Sequence, residues 1–235
     1  ESCQDFDCRW QLGKIFSSSD EELYATDIVR SSVALVVLQV GLVEVLRSIG
    51  CPMTHVIGHS VGELAAAYAC DSLSFEQVVE LSIHYGAALS IPSRPAGAMA
   101  VIGCSAMDAS ISVQPDLYVA CSNAANSCTI AGPPAAVQEH VQKMESTGMY
   151  AKIIPSNGIA FHTPLVDCCV DDFRRRISNM FSSSSSQRFP DCFKTTSARL
   201  TNADYCCNAD YFCNNLRNAV QFYEQTQGIN AHDIV

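Results

Sequence analysis

The stretch from His55 to Ala69 constrains the fold of this chain more than any other. His55 to Ile57 carries β-branched residues suited to a strand, and Glu63 to Ala69 is a run of strong helix formers. Between them stand Gly58, Ser60 and Gly62, so strand must give way to helix through a tight turn with a serine at its apex. Small residues two before and two after the serine let such a turn close. The geometry projects the Ser60 hydroxyl clear of the sheet and makes it a candidate nucleophile. The amide of Val61 is the candidate oxyanion donor, because the first N–H groups of a helix lack internal partners and sit at the positive end of its dipole. A glycine-punctuated junction with an incidental serine is the bland alternative.

With 48% hydrophobic and 16% charged residues, the chain can bury a core and is not a disordered segment. Its net charge of −10 argues against a nucleic-acid partner. The one basic run, Arg174 to Arg176, reads first as a solvated helix face and second as a holder of phosphate. The most apolar stretch, Val33 to Leu46, is broken by Gln39 and Glu44, so we expect a buried amphipathic helix and no membrane span. No signal peptide opens the chain, and it does not begin with Met, which suggests a piece of a longer polypeptide. Thirteen cysteines without Cys-x-x-Cys spacing suggest reduced thiols in a cytoplasmic protein, with no metal site.

Residues 1 to 30 suggest helix in pieces, with a cap at Ser17 to Leu23. From Asp27 to Ile49, apolar residues recur at helical spacing through Ile28, Leu35, Leu38, Leu42, Val45, Leu46 and Ile49, and Gly50 stops the run. After the serine helix, residues 71 to 74 cap a second helix, Phe75 to Leu89. Ile91 to Gly97 is a break rich in proline and glycine.

Beyond that break the chain takes up a different rhythm. Strands are predicted at 98–103, 117–122, 127–131 and 150–154, and helices at 105–113 and 133–147. This β-α-β-β-α-β order is that of a ferredoxin-like unit. The sequence therefore reads as an α/β-hydrolase-like body, residues 1–95 plus 157–235, with a smaller unit inserted at 96–156. Past the insert we expect a helix at 165–180, a serine-rich loop at 182–186, a weak strand at 193–197, a helix at 211–225 and an incipient strand at 231–235.

A serine nucleophile needs a base. His55 and His59 flank the turn, with His59 packed beside it, and His84, His140 and His232 fall on apparent helix surfaces or near the chain end. His162 instead follows a glycine hinge at Gly158, in the loop that rejoins the body. Asp71, Asp108 and Asp116 are weak candidates for a third triad member. A Ser60–His162 dyad, its imidazole oriented by a backbone carbonyl, fits better.

Several motifs occur in order: Gly58-His-Ser-Val-Gly-Glu63, Pro95-Ala-Gly-Ala-Met-Ala100, Asn123 with Thr129-Ile-Ala-Gly-Pro133, Gly158-Ile-Ala-Phe-His162, and Asn214-Asn-Leu216. The set resembles the malonyl/acetyl acyltransferase domain of animal type I fatty acid synthases and related polyketide synthases, over nearly the whole chain. The resemblance implies that Ser60 carries the acyl group and His162 activates it. Val61 would supply an oxyanion contact, and His59, Tyr85, Phe161 and Asn123 would bound the substrate.

It further implies a CoA thioester as donor and the phosphopantetheine of an acyl carrier protein as acceptor, with neighbouring domains of a multienzyme as partners and no bound cofactor. Malonyl-transferring members carry an arginine where this chain has Tyr85, which makes acetyl or another monocarboxylic acyl group a rival substrate. The family's first strand with its Gly-Gln-Gly loop, and a stretch beyond Val235, are not in this sequence, so the resemblance also implies a fragment. A serine hydrolase or thioesterase, and a non-catalytic acyltransferase-like domain, are the other functions these residues allow.

Overall fold

A computed structural model describes residues 27–181, 187–197, 205–227 and 229. The predicted cap at 17–23, the serine run 182–186, His232 and the strand at 231–235 lie outside these residues.

Helix α1 (Ile28–Ser48) begins where the sequence places it, with Asp27 Oδ1 accepting the amides of Val29 and Arg30 at 3.0 and 3.1 Å. It ends before Gly50, whose φ of +77° suits a residue without Cβ. Its buried face is not the expected one. Val33, Val36 and Val40 pack inward, whereas Leu38, Leu42, Val45 and Ile49 are exposed and Leu35 and Leu46 only partly covered. Apolar residues surround this helix, so periodicity alone cannot choose a face. Gly86 chooses it: a Cβ there would lie 2.5 Å from Val29 Cα, so this glycine brings α3 (Phe75–Leu89) onto the valine side. The expectation of a buried amphipathic helix is thus corrected. So is that of no apolar run long enough for a membrane: by length and composition α1 could cross one, with a mean hydropathy of 1.9 over 18 residues despite Gln39 and Glu44.

Strand β1 (Val56–Ile57) leads into α2 (Gly62–Ala69), and α3 follows behind a capping box made by Ser74 and Gln77. The inserted unit comes next: β2 (Ala98–Ile102), α4 (Ala106–Ser112), β3 (Tyr118–Ala124), β4 (Ser127–Gly132), α5 (Pro134–Ser146) and β5 (Ala151–Ile154). Its sheet order, β5-β2-β4-β3 with antiparallel neighbours, is the ferredoxin-like arrangement read from the sequence. Ile102, Ile130, Val137 and Val141 form its core under the two helices.

The chain returns through a 3₁₀ turn (Pro164–Val166) to α6 (Asp167–Phe181), then β6 (Gln187–Arg188), β7 (Phe193–Lys194), β8 (Cys206–Cys207) and α7 (Ala209–Arg217). Strand β7 lies parallel to β1, pairing Val56 with Phe193 and Ile57 with Lys194. Around this pair Leu64, Leu81, Phe173, Phe193, Tyr211 and Phe212 build the body's core.

The helix expected over 211–225 is broken in two. After α7 the chain extends at Asn218 and forms β9 (Val220–Gln221), and α8 (Phe222–Thr226) follows. Pairing outcompetes helix propensity here, because β9 adds a fifth strand, parallel to β3, to the inserted sheet, with Val220 opposite Cys121. The strand expected over 193–197 stops at Lys194, leaving Ser197 as an isolated bridge to Val220.

Three further expectations are corrected or refined. His140 is fully buried rather than on a helix surface, and neither ring nitrogen has a partner among the described residues. Arg174, Arg175 and Arg176 pair with Asp210, Asp172 and Asp172 respectively, so carboxylates already occupy all three. The described cysteines are free thiols, with the Cys70 and Cys192 sulfurs 3.1 Å apart.

Candidate active site

Ser60 sits between β1 and α2 with φ of 57°, the left-handed region, at a cost of roughly 1–3 kcal/mol for a residue with a Cβ. The two glycines beside it are not equivalent. A Cβ on Gly58 would lie 2.4 Å from the backbone nitrogen of Glu63, so strand and helix can approach only with glycine there. A Cβ on Gly62 would meet nothing nearer than the Gln39 amide at 3.7 Å, an ordinary contact. The expectation that both small residues are needed for closure is corrected: the first is, the second is not.

The loop from Asn157 to His162 brings the imidazole to the serine, with Ser60 Oγ 2.7 Å from His162 Nε2. His162 itself has φ of 61°, so both members of the candidate dyad are held in strained backbone. Gly97 lies under this loop: a Cβ on it would collide with Ala160 N at 2.3 Å, and its amide donates to Gly158 O at 2.8 Å. On the far side of the ring, Nδ1 is 2.9 Å from the carbonyl oxygen of Asn218. A carbonyl only accepts, so Nδ1 carries the proton and Nε2 offers its lone pair to the serine hydroxyl. Burial, and then the nearby His59, lower the His162 pKa from its ordinary 6.5 to about 4, so the ring is neutral at physiological pH. Asp71 instead pairs with Arg47 at 2.7 Å and Asp108 with Ser105 at 2.7 Å; no carboxylate contacts the imidazole among the described residues.

At the start of α2 the amides of Gly62, Glu63 and Leu64 have backbone acceptors, at His59, Ser60 and Val61. No such acceptor meets the Val61 amide among the described residues, which leaves an N–H at the helix start for an oxyanion beside Ser60.

A cavity of about 290 Å³ opens on the dyad. His59, Tyr85 and Phe161 line it, joined by Met99, Ile154 and Leu35. Tyr85 is buried edge-on against Phe173 at 5.6 Å, and its hydroxyl, turned toward Ser60, makes no complete hydrogen bond. Asn123 does not line the cavity. It stands behind His59, accepting from His59 Nε2 at 3.0 Å and donating to Thr129 Oγ1 at 3.0 Å, and so ties the elbow to the inserted sheet. Sequence reasoning missed the first turns of α1 as a cavity wall, since nothing in a periodic apolar run says what its end will face. It also assigned no role to Glu63, fully buried one turn beyond the serine.

A serine beside a locked neutral histidine, a spare helix-start amide and an apolar chamber make a candidate nucleophilic-serine centre on a mixed α/β body. Comparison with known proteins makes the class specific. Residues 7–234 match the acyl transferase domain family, and the chain belongs to that family. It is 26% identical over 96% of its length to the squalestatin tetraketide synthase of Phoma sp., and 30% identical over 84% to a highly reducing polyketide synthase of Aspergillus fumigatus. It spans only 9% and 8% of those two proteins. Among solved structures it resembles the acyltransferase domain of the second module of the salinomycin polyketide synthase. The TM-score is 0.74 at 26% identity, covering 91% of this chain and 49% of that one. The malonyl CoA-acyl carrier protein transacylase of Coxiella burnetii shares the fold, with a TM-score of 0.74 at 20% identity, covering 95% of this chain and 72% of that one.

Proposed function

We propose that this domain moves a malonyl or acetyl group from a CoA thioester, by way of an ester on Ser60, to the phosphopantetheine thiol of an acyl carrier protein within a polyketide synthase. The observation that carries this reading is the Ser60 Oγ–His162 Nε2–Asn218 O alignment, with Ser60 and His162 in the cavity wall and Asn218 behind the ring. His162 takes the Ser60 proton as Oγ attacks the thioester carbonyl, and the tetrahedral oxyanion faces the Val61 amide. Collapse expels the CoA thiolate, which recovers the proton from His162. In the second half the carrier thiol gives its proton to His162 and attacks the ester, and Ser60 leaves as the alcohol.

Within that reaction the cavity favours an acyl group without a second carboxylate. No Lys or Arg lines it among the described residues, and the lining is almost wholly apolar. Burying an ionised carboxylate there without a cation would cost several kcal/mol. Burial holds the Tyr85 hydroxyl in its neutral form, a single donor in place of a charge.

The test is incubation with radiolabelled acetyl-CoA and malonyl-CoA, with and without carrier protein, comparing the wild type with Ser60→Ala. Label held on Ser60 and passed to the carrier supports transfer; rapid release to water would mean hydrolysis. No Ser60-dependent label from either donor would overturn the catalytic reading. Better malonyl loading by Tyr85→Arg would show that this position decides the acyl charge.

A further inference from the structure

The dyad leaves unexplained a buried carboxylate one turn beyond the nucleophile. Glu63 is fully buried on α2, next to the elbow in sequence, and its partners come from distant parts of the chain. Oε2 accepts from Tyr211 Oη at 2.7 Å and Asn215 Nδ2 at 2.9 Å, both on α7. Oε1 accepts from Thr195 Oγ1 at 3.1 Å and from the Thr196 amide, in the segment after β7. A buried carboxylate is tolerated only when its oxygens are satisfied, and these are.

Two of these partners also hold the strained turn directly. Asn215 Nδ2 donates to Ser60 O at 3.1 Å as well as to Glu63, and Thr196 Oγ1 lies 2.8 Å from Gly58 O. The backbone carbonyls of Gly58 and Ser60 are therefore gripped by side chains that Glu63 fixes in place. The same helix α7 ends at Asn218, whose carbonyl orients His162. One carboxylate thus joins the nucleophile's helix to the helix whose end orients the base.

We propose that Glu63 is a positioning residue for acyl transfer: it clamps the elbow to α7 and so sets the Ser60–His162 approach. It touches no substrate and exchanges no proton with one. The proposal rests on Ser60 being the acyl acceptor.

The test uses three variants. Glu63→Gln keeps the volume but turns an amide donor toward the donors of Tyr211 and Asn215, or of Thr195 and Thr196. Asn215→Leu removes the grip on Ser60 O. Tyr211→Phe removes one hydroxyl with little change of shape, and it keeps the test alive should the other two fail to fold. Each is measured for circular dichroism, melting temperature, and kcat and KM for loading of Ser60 from acyl-CoA. A control, Ile177→Val, loosens the body's core away from the site.

Misplacing reacting atoms by about 1 Å can cost ~100-fold in rate. We therefore expect kcat to fall ~100-fold in Glu63→Gln and Asn215→Leu, and ~10-fold in Tyr211→Phe, with KM within twofold and the fold retained. The control should keep its kcat despite its lower melting temperature. Folded variants that load at the wild-type rate would overturn the proposal. So would losses of rate that track melting temperature in the control as in the variants, because Glu63 would then be structural only. A wild type that never acylates Ser60 would instead overturn the acyltransferase reading.

Discussion

The inserted sheet and the body hold themselves together on different terms. The insert is a conventional amphipathic assembly, with four antiparallel strands over a core of Ile102, Ile130, Val137 and Val141. The body also has an apolar core, but beside the serine it buries a polar centre, the Glu63 carboxyl group, with Tyr211, Asn215, Thr195 and Thr196 turned onto it. Apolar packing tolerates change if volume is kept, whereas a buried polar network is penalised by each partner it loses. Damage to the insert should therefore be read as lost stability, and damage around the elbow as lost chemistry.

The largest expected effect lies in the body. Ser60→Ala should abolish stable acyl loading, and His162→Ala should slow it by ~10³-fold or more, while both proteins melt close to the wild type. Loading assays beside thermal melts check both halves of that statement.

The elbow glycines sharpen the contrast next. Gly58→Ala drives a methyl into the backbone of Glu63 and should cost at least ~3 kcal/mol together with the loading activity. Gly62→Ala makes only an ordinary contact with the Gln39 amide and should leave stability within ~1 kcal/mol of the wild type, with loading intact. Equal effects of the two would contradict the packing described for the turn.

Ile130→Ala in the insert should cost ~2–5 kcal/mol, with kcat per folded molecule unchanged. A selective loss of kcat in this variant would erase the distinction between the two regions.

The last effect depends on pH and leaves the protein untouched at neutrality. His162 has its folded pKa at about 4, below the ordinary 6.5, so the unfolded chain binds a proton that the native site refuses between those values. Above about pH 6.5 both states leave the ring neutral and the group costs nothing; as pH falls toward 4 the native state loses ~3 kcal/mol relative to the unfolded chain. Between pH 7 and 4 the melting temperature of the wild type should therefore fall more steeply than that of His162→Gln. The loading rate should decline only as pH drops through about 4, where the base becomes protonated.

Legibility in the sequence divides along the same line. Every strand and helix of the ferredoxin-like unit could be placed, because each alternates or repeats against one core and carries its own turn residues. The elbow was legible because its glycine and serine spacing answers to a backbone requirement. Periodicity failed where a residue's partner is remote. Nothing local tells Val36 from Leu38 as the buried face of α1; that depends on Gly86, more than forty residues away. The break at Asn218 was unreadable for the same reason, since it serves a histidine in another loop and a strand in the insert. A carbonyl was expected behind His162, but only the fold shows whose it is.

Strand β9 gives the boundary between the two parts a practical meaning. Its two residues come from the body, yet they complete the insert's sheet beside β3, two positions after the Asn218 carbonyl. A graft that exchanged residues 96–156 for the equivalent unit of another acyltransferase domain would carry away β3 and Asn123, and leave behind Val220 and His59, their partners. The seam that matters for building chimaeras is therefore not the pair of chain crossings. It is the parallel register of Cys121 on Val220, and a donor unit that slipped it would disturb the histidine before it disturbed the fold.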